Sequence, residues 1–226
     1  MPGHRPHGQH AGLNPQVILD AAIDLADSQG LAALSMRRLG ATLEVEAMTL
    51  YHYFPNKAAL LDGIVERLVS AAELPIGTDT DWKDGLRRYA RSGLDTLAAH
   101  PNLVPLMLSR PGTTAGNHRV METLLQVLTR AGFDPRTALD LLYALNSLIV
   151  VHGAVRAGSD SPQPHGEEGQ TSRLAELSPE DYPLLTAAAR DSAGRGPTAR
   201  FDAAVDALIT GFAAAGPTPH PKSAVQ

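Results

Sequence analysis

At 226 residues the chain is long enough for one large domain, or for a small domain beside a medium one. Hydrophobic residues make up 43% of it, led by alanine and leucine with strand formers sparse, which favours an all-α fold. The lack of cysteine excludes disulfides and thiolate metal sites, and a net charge of −5 argues against binding nucleic acid through bulk electrostatics.

In chain order, residues 1–13 are rich in Gly, Pro and His and are expected to be a disordered tail. They hold no apolar core, so they do not form a signal peptide. His4, His7 and His10 could gather a metal, but a flexible tail is the simpler expectation. Asn14 and Pro15 then supply a helix N-cap and first position. Val17, Ile18, Ala21, Ala22, Leu25 and Ala26 form a helical apolar stripe that Gly30 ends. Ser35 caps a short second helix with Leu39 and Leu43 inward, and a second short helix follows over Ala47–Tyr53. Asn56 caps a longer helix from Lys57 to about Glu73, with Leu60, Leu61, Ile64 and Leu68 inward. Pro75, Ile76 and Gly77 break it, which divides a small head (residues 14–73) from a larger helical body (residues 74–215).

In the body the pattern predicts helices at about Trp82–Ala99, Pro101–Ser109, Gly116–Ala131, Pro135–Ala157, Pro179–Ser192 and Ala199–Ala214. Residues 158–171, GSDSPQPHGEEGQT, have the composition of a mobile loop, and residues 216–226 that of a disordered tail. The most apolar run, Leu145–Val151, contains Asn146 and is far short of a membrane span, so a soluble, cytoplasmic protein without a membrane partner is expected.

The stretch Ser35–Asp62, SMRRLGATLEVEAMTLYHYFPNKAALLD, carries the functional signal. Two short helices joined by a tight turn make a helix-turn-helix, whose second helix enters the DNA major groove. Leu50 and Phe54 lie four apart and anchor that helix to the core. Met48, Thr49, Tyr51, His52 and Tyr53 then divide between the DNA-facing side and the rim. Arg37, early in the first helix, can reach a guanine edge or a phosphate. Lys57 stands at a helix N-terminus, where its amine and the free backbone N–H groups suit a phosphate. The alternative is that the aromatics are core residues of a bundle and that Arg37 and Arg38 are an ordinary solvated face. The first 73 residues hold five Lys/Arg against eight Asp/Glu, a net of −3, so the motif and not the composition makes the case for DNA.

The capped helix Asn14–Gly30 followed by SMRRLGATLEVEAMTLYHYFPNKAALLDGI resembles the TetR family of bacterial repressors. LYHYFPNKAALLD and the late RFDAAVDALITGF are similar to its tetracycline-repressor branch. The resemblance implies an all-α homodimer with a helix-turn-helix head and a ligand-binding body. It also implies that Arg37, Ala47, Met48, Thr49, Tyr51, Tyr53 and Lys57 occupy DNA-contacting positions. Two departures stand out. Glu44 replaces the family's usual turn glycine and must accept a left-handed conformation or a different turn. Ala47 and Met48 stand where hydrogen-bonding base readers are often found and offer only apolar contacts, for example to thymine methyls.

The segment Pro135–Ala157 is apolar nearly all round and must be buried on more than one side. Ala203, Ala204, Ala207 and Gly211 would let the last helix approach a neighbour closely. The two helices are the expected dimer interface, an intersubunit four-helix bundle, with an ordinary intrachain core as the alternative. Polar residues among apolar ones suggest a ligand cavity: Tyr89, His100, Asn146 and His152, with Met107 as an adaptable wall. The resemblance implies that His100 could assist a metal-chelated ligand, but no partner motif supports a metal, and no cofactor motif is present. The expected function is a ligand-responsive transcriptional regulator, a repressor that binds an inverted-repeat operator and is released by a small, largely apolar molecule. Its switch would be transmitted through the helix Lys57–Glu73. The alternatives are a small helical enzyme or ligand carrier with a coincidental helix-turn-helix, and a helical scaffold that only dimerises.

Overall fold

The structure, a computed structural model, describes residues 12–74, 81–110, 112–158, 167–192, 194 and 196–215. All regular elements among the described residues are helical. The head begins with α1 (Pro15–Gln29), where the Asn14 side chain accepts a hydrogen bond from the Val17 N–H at 3.0 Å. The Ser35 hydroxyl likewise caps α2 (Met36–Thr42), and Asn56 Oδ1 caps α4 (Lys57–Ser70) through the Ala59 N–H at 2.8 Å. Such caps stabilise a helix by ~1 kcal/mol each and set where it starts. Between α2 and α4 lies α3 (Ala47–Tyr51). It stops short of the expected Tyr53, because Pro55 disfavours helical backbone at Phe54 and Asn56 is already extended as the next cap.

The α2–α3 turn rests on two backbone features. A Cβ at Gly40 would lie 2.9 Å from the Val45 carbonyl oxygen, so only glycine allows this approach. Glu44 sits in the left-handed region at φ 55, the first of the two outcomes its position allowed. For a side chain with a Cβ that conformation costs roughly 1–2 kcal/mol. The head core closes around Ile18, Leu25, Leu39, Leu50, Leu60 and Ile64, each at most 4% exposed.

The body contains α5 (Trp82–Ala99), a 3-10 turn at Pro101–Leu103, α6 (Val104–Ser109), α7 (Ala115–Arg130), α8 (Pro135–Gly158), α9 (Glu167–Ala175), α10 (Pro183–Asp191) and α11 (Pro197–Ala215). α8 packs against α5, α7 and α11. Its inward side buries Leu141, Leu142, Leu145 and Ile149 against Leu94, Leu124, Phe201 and Val205. Two sequence expectations need correction. An 18-residue window of α8 reaches a mean hydropathy of 1.6, so the helix is long and apolar enough to cross a membrane, although its unbroken apolar run is short. About a third of that window is buried by neighbouring helices, and Tyr143, Val151 and Val155 lie exposed along the outer face. The segment 158–171 is not all loop either, because α9 already begins at Glu167. The Pro and Gly ahead of it masked a helix-forming EEGQTSRLA in the averaged composition. The remainder of that expected loop, 159–166, lies outside the described residues, as do residues 1–11 and 216–226 of the expected tails.

Head and body share packing. Leu103 and Leu106, from the start of the body's second helical stretch, are buried in the head's cluster, and Val69 and Met107 touch both clusters.

Candidate DNA interface and ligand cavity

The two expected core anchors, Leu50 on α3 and Phe54 just beyond it, face inward. Leu50 and Phe54 are 0% and 9% exposed, while Met48 is 68% exposed. Tyr51 and Tyr53 are exposed, and Ala47 and Thr49 are half-buried. Arg37, Lys57, Glu44 and Glu46 are exposed. The Tyr53 hydroxyl donates to the Leu13 carbonyl at 3.0 Å, which ties the chain just ahead of α1 to the end of the α3 region. Arg67 is held by Asp20 at 3.1 Å, so it braces α4 on α1 and does not stand with Arg37 and Lys57.

At its far end α4 forms the wall of a cavity of about 50 Å³. Leu68 and Val69 contribute from α4, Tyr89 from α5, Met107 from α6, and Asn146 and Ile149 from α8. The buried Tyr89 hydroxyl donates to Asn146 Oδ1 at 2.8 Å, and the Asn146 amide reaches Met121 Sδ at 3.7 Å. Burial pushes the Tyr89 phenol up to about 12, because the phenolate would lose its hydration there. The hydroxyl therefore remains a donor at any physiological pH.

Of the five ligand candidates, the structure brings Tyr89, Met107 and Asn146 together at this cavity and places the two histidines elsewhere. His100 Nδ1 faces Asp27 Oδ2 on α1 at 2.6 Å. His152 Nδ1 lies 2.9 Å from the Leu148 carbonyl, with its ring edge-on to Phe201 at 5.2 Å between centroids. Among the described residues no group of three or more His, Asp or Glu side chains is placed to hold a metal ion.

Three features escaped the sequence. Asn117, near the start of α7, is 3% exposed, and neither of its side-chain amide atoms has a hydrogen-bond partner among the described residues. Asp62 and Glu66, four apart on α4, face the body: Asp62 pairs with Arg110, and Glu66 lies 3.8 Å from Arg119. Glu66 also lies against Gly116, where a Cβ would have no room. The i,i+4 spacing of the two acids was visible, but their basic partners are too far along the chain for any local pattern to show.

Comparison with known proteins points one way. The family description "Bacterial regulatory proteins, tetR family" matches residues 18–64, and "Tetracyclin repressor-like, C-terminal domain" matches residues 74–215. The tetracycline repressor protein class A from transposon 1721 of Escherichia coli is 32% identical over 205 residues, covering 89% of this chain and 91% of that one. In fold, the chain resembles Streptomyces coelicolor ActR in complex with actinorhodin, with a TM-score of 0.78 at 22% identity, covering 91% of this chain and 99% of that one. It also resembles a variant of TetR from Acinetobacter baumannii AYE in complex with minocycline, with a TM-score of 0.73 at 24% identity, covering 94% and 100%.

Proposed function

This chain belongs to the TetR family of transcriptional regulators, and on that footing we propose that it is a homodimeric repressor that leaves an inverted-repeat operator when a small molecule enters its body. One observation carries the reading. A single helix, α4, carries Lys57 at its first position, packs Leu60, Ile64 and Gly63 in the cluster that holds Leu50 and Phe54, and presents Leu68 and Val69 to the cavity at its other end. A ligand that spreads the cavity must displace the helix that supports the DNA-facing residues. Asp62 and Glu66 hold the middle of that helix to α6 and α7.

At about 50 Å³ the cavity is far below the ~300–1,000 Å³ of a ligand pocket, so a drug-sized ligand fits only after α4, α5 and α8 move apart. The ligand class is a mainly apolar molecule that offers polar atoms to Tyr89 and Asn146. Two structural neighbours hold small molecules, actinorhodin in one and minocycline in the other. The exposed stripe Tyr143, Val151 and Val155 on α8, with exposed Ala203, Ala207 and Gly211 on α11, supports the dimer interface. In this arrangement Arg37, Ala47, Met48, Thr49, Tyr51, Tyr53 and Lys57 meet the operator.

The test begins by selecting duplexes from a random pool with the full-length protein, then measuring their affinity with and without actinorhodin or minocycline as probes. Palindromic duplexes bound by two protomers, released by a ligand whose own affinity falls equally when duplex is present, are the expected result. A preference of about 100-fold for one state is worth ~2.7 kcal/mol in both directions. A ligand bound equally well with and without duplex would remove the cavity from the switch.

A further inference from the structure

We propose that Met48 reads the C5-methyl group of a thymine in each operator half-site, making this methyl a determinant of operator choice. The proposal rests on the docking of α3 in the major groove.

Recognition helices contact base edges with their N-terminal residues. Here those residues are Ala47 and Met48, and neither carries a hydrogen-bond donor or a strong acceptor. They cannot read the donor and acceptor pattern of a base pair. The major groove offers one apolar mark, the thymine methyl. Met48 is 68% exposed, although a methionine gains nothing from water, and it is not among the buried or half-buried side chains of either core cluster. Its unbranched thioether chain can follow a methyl whose position shifts with local DNA shape. Ala47, half-buried beside it, adds no side chain that would hold the helix away from the base edges.

The surroundings favour the same contact. Glu44 and Glu46 are exposed just ahead of α3, and the Glu46 side chain makes no cap hydrogen bond. Their charge repels phosphate, so the tip of α3 is unsuited to lie on the backbone and suited to point at bases. Gly40, closing on the Val45 carbonyl, fixes the turn that sets this direction.

The test exchanges deoxythymidine for deoxyuridine, one position at a time, in a duplex selected by the full-length protein. This removes a methyl and leaves base pairing intact. Burying one methyl is worth a factor of about four, so one thymine per half-site should show a loss of about fourfold, and both together about fifteenfold. Met48→Ala, folded as judged by its melting temperature, should bind the two duplexes equally, and Met48→Leu should keep the discrimination. Wild-type affinity unchanged by every exchange overturns the proposal. So does a Met48→Ala variant that keeps the full loss. Those outcomes leave DNA binding itself intact, whereas a selection that recovers no duplex overturns both the docking and the readout.

Discussion

His100, at the end of α5, and Asp27, in the last turn of α1, face each other at 2.6 Å, and the Asn102 side-chain amide donates to the Asp27 backbone carbonyl at 2.8 Å. The body therefore grips the head at α1 as well as through α4. A movement of the α5–α6 junction reaches α1 directly, and through α1 the Asp20–Arg67 pair on α4. The expected route along α4 has a second strand beside it.

The strength of that grip is measurable. Both side chains are roughly three-quarters buried. A double-mutant cycle with Asp27→Ala and His100→Ala, read by urea unfolding, should give a coupling of about 1–2 kcal/mol. Additive effects would mean that the pair contributes nothing as a pair.

Alkaline stability should depend on Tyr89. Its folded value, about 12, is raised above the ordinary 10.0 because burial penalises the phenolate. The fold therefore favours the neutral form. This contribution is whole below pH 10 and drains away as pH rises from 10 towards 12. Two units correspond to about 3 kcal/mol, an upper bound. Tyr89→Phe should lower stability at pH 7, where the bond to Asn146 is lost, and should flatten this part of the alkaline decline. Parallel pH profiles for the two proteins would refute the assignment.

On the DNA side, Lys57→Ala should weaken binding to a selected duplex and reduce the salt slope by about one. Tyr53→Ala should also weaken binding, since it removes both an exposed ring just after α3 and the tie to Leu13. Both side chains are exposed, so melting temperatures should hold within a few degrees. Unchanged affinity and salt dependence for both variants would displace the docking assignment.

For assembly, Gly211→Trp is informative because a Cβ at Gly211 meets nothing within 4 Å in the single chain. The variant should keep its helical content and sediment as a monomer, where the wild type sediments as a dimer at micromolar concentration. A dimeric Gly211→Trp protein would move the interface elsewhere.

How much of this was legible follows from the range of the interactions. Asn14, Ser35 and Asn56 act on backbone N–H groups three residues ahead, so their helix starts could be placed from sequence. The inward setting of Leu50 and Phe54 follows from spacing alone. His100 and Asp27 are 73 residues apart, and no periodicity links them; a histidine among apolar neighbours looked like a cavity residue until its partner was in view. His152 bonds to a carbonyl one turn back, which any helical histidine can do, so its sequence context carried no information about a ligand. Asn117 carries no signal in the sequence because a single amide near a helix start reads as surface, and only tertiary burial sets it apart.

The burial of Leu103 and Leu106 beneath α1 and α4 bears on how such proteins can be recombined. A chimaera cut at the apparent boundary after α4 would leave the DNA-reading half with two leucine-sized holes and give the sensing half two bare leucines. No cut before α6 separates the two clusters cleanly, because α5, which precedes Leu103 and Leu106, packs on α8 and α11; a new body joined after α4 must bring side chains of the same size to the places of Leu103 and Leu106.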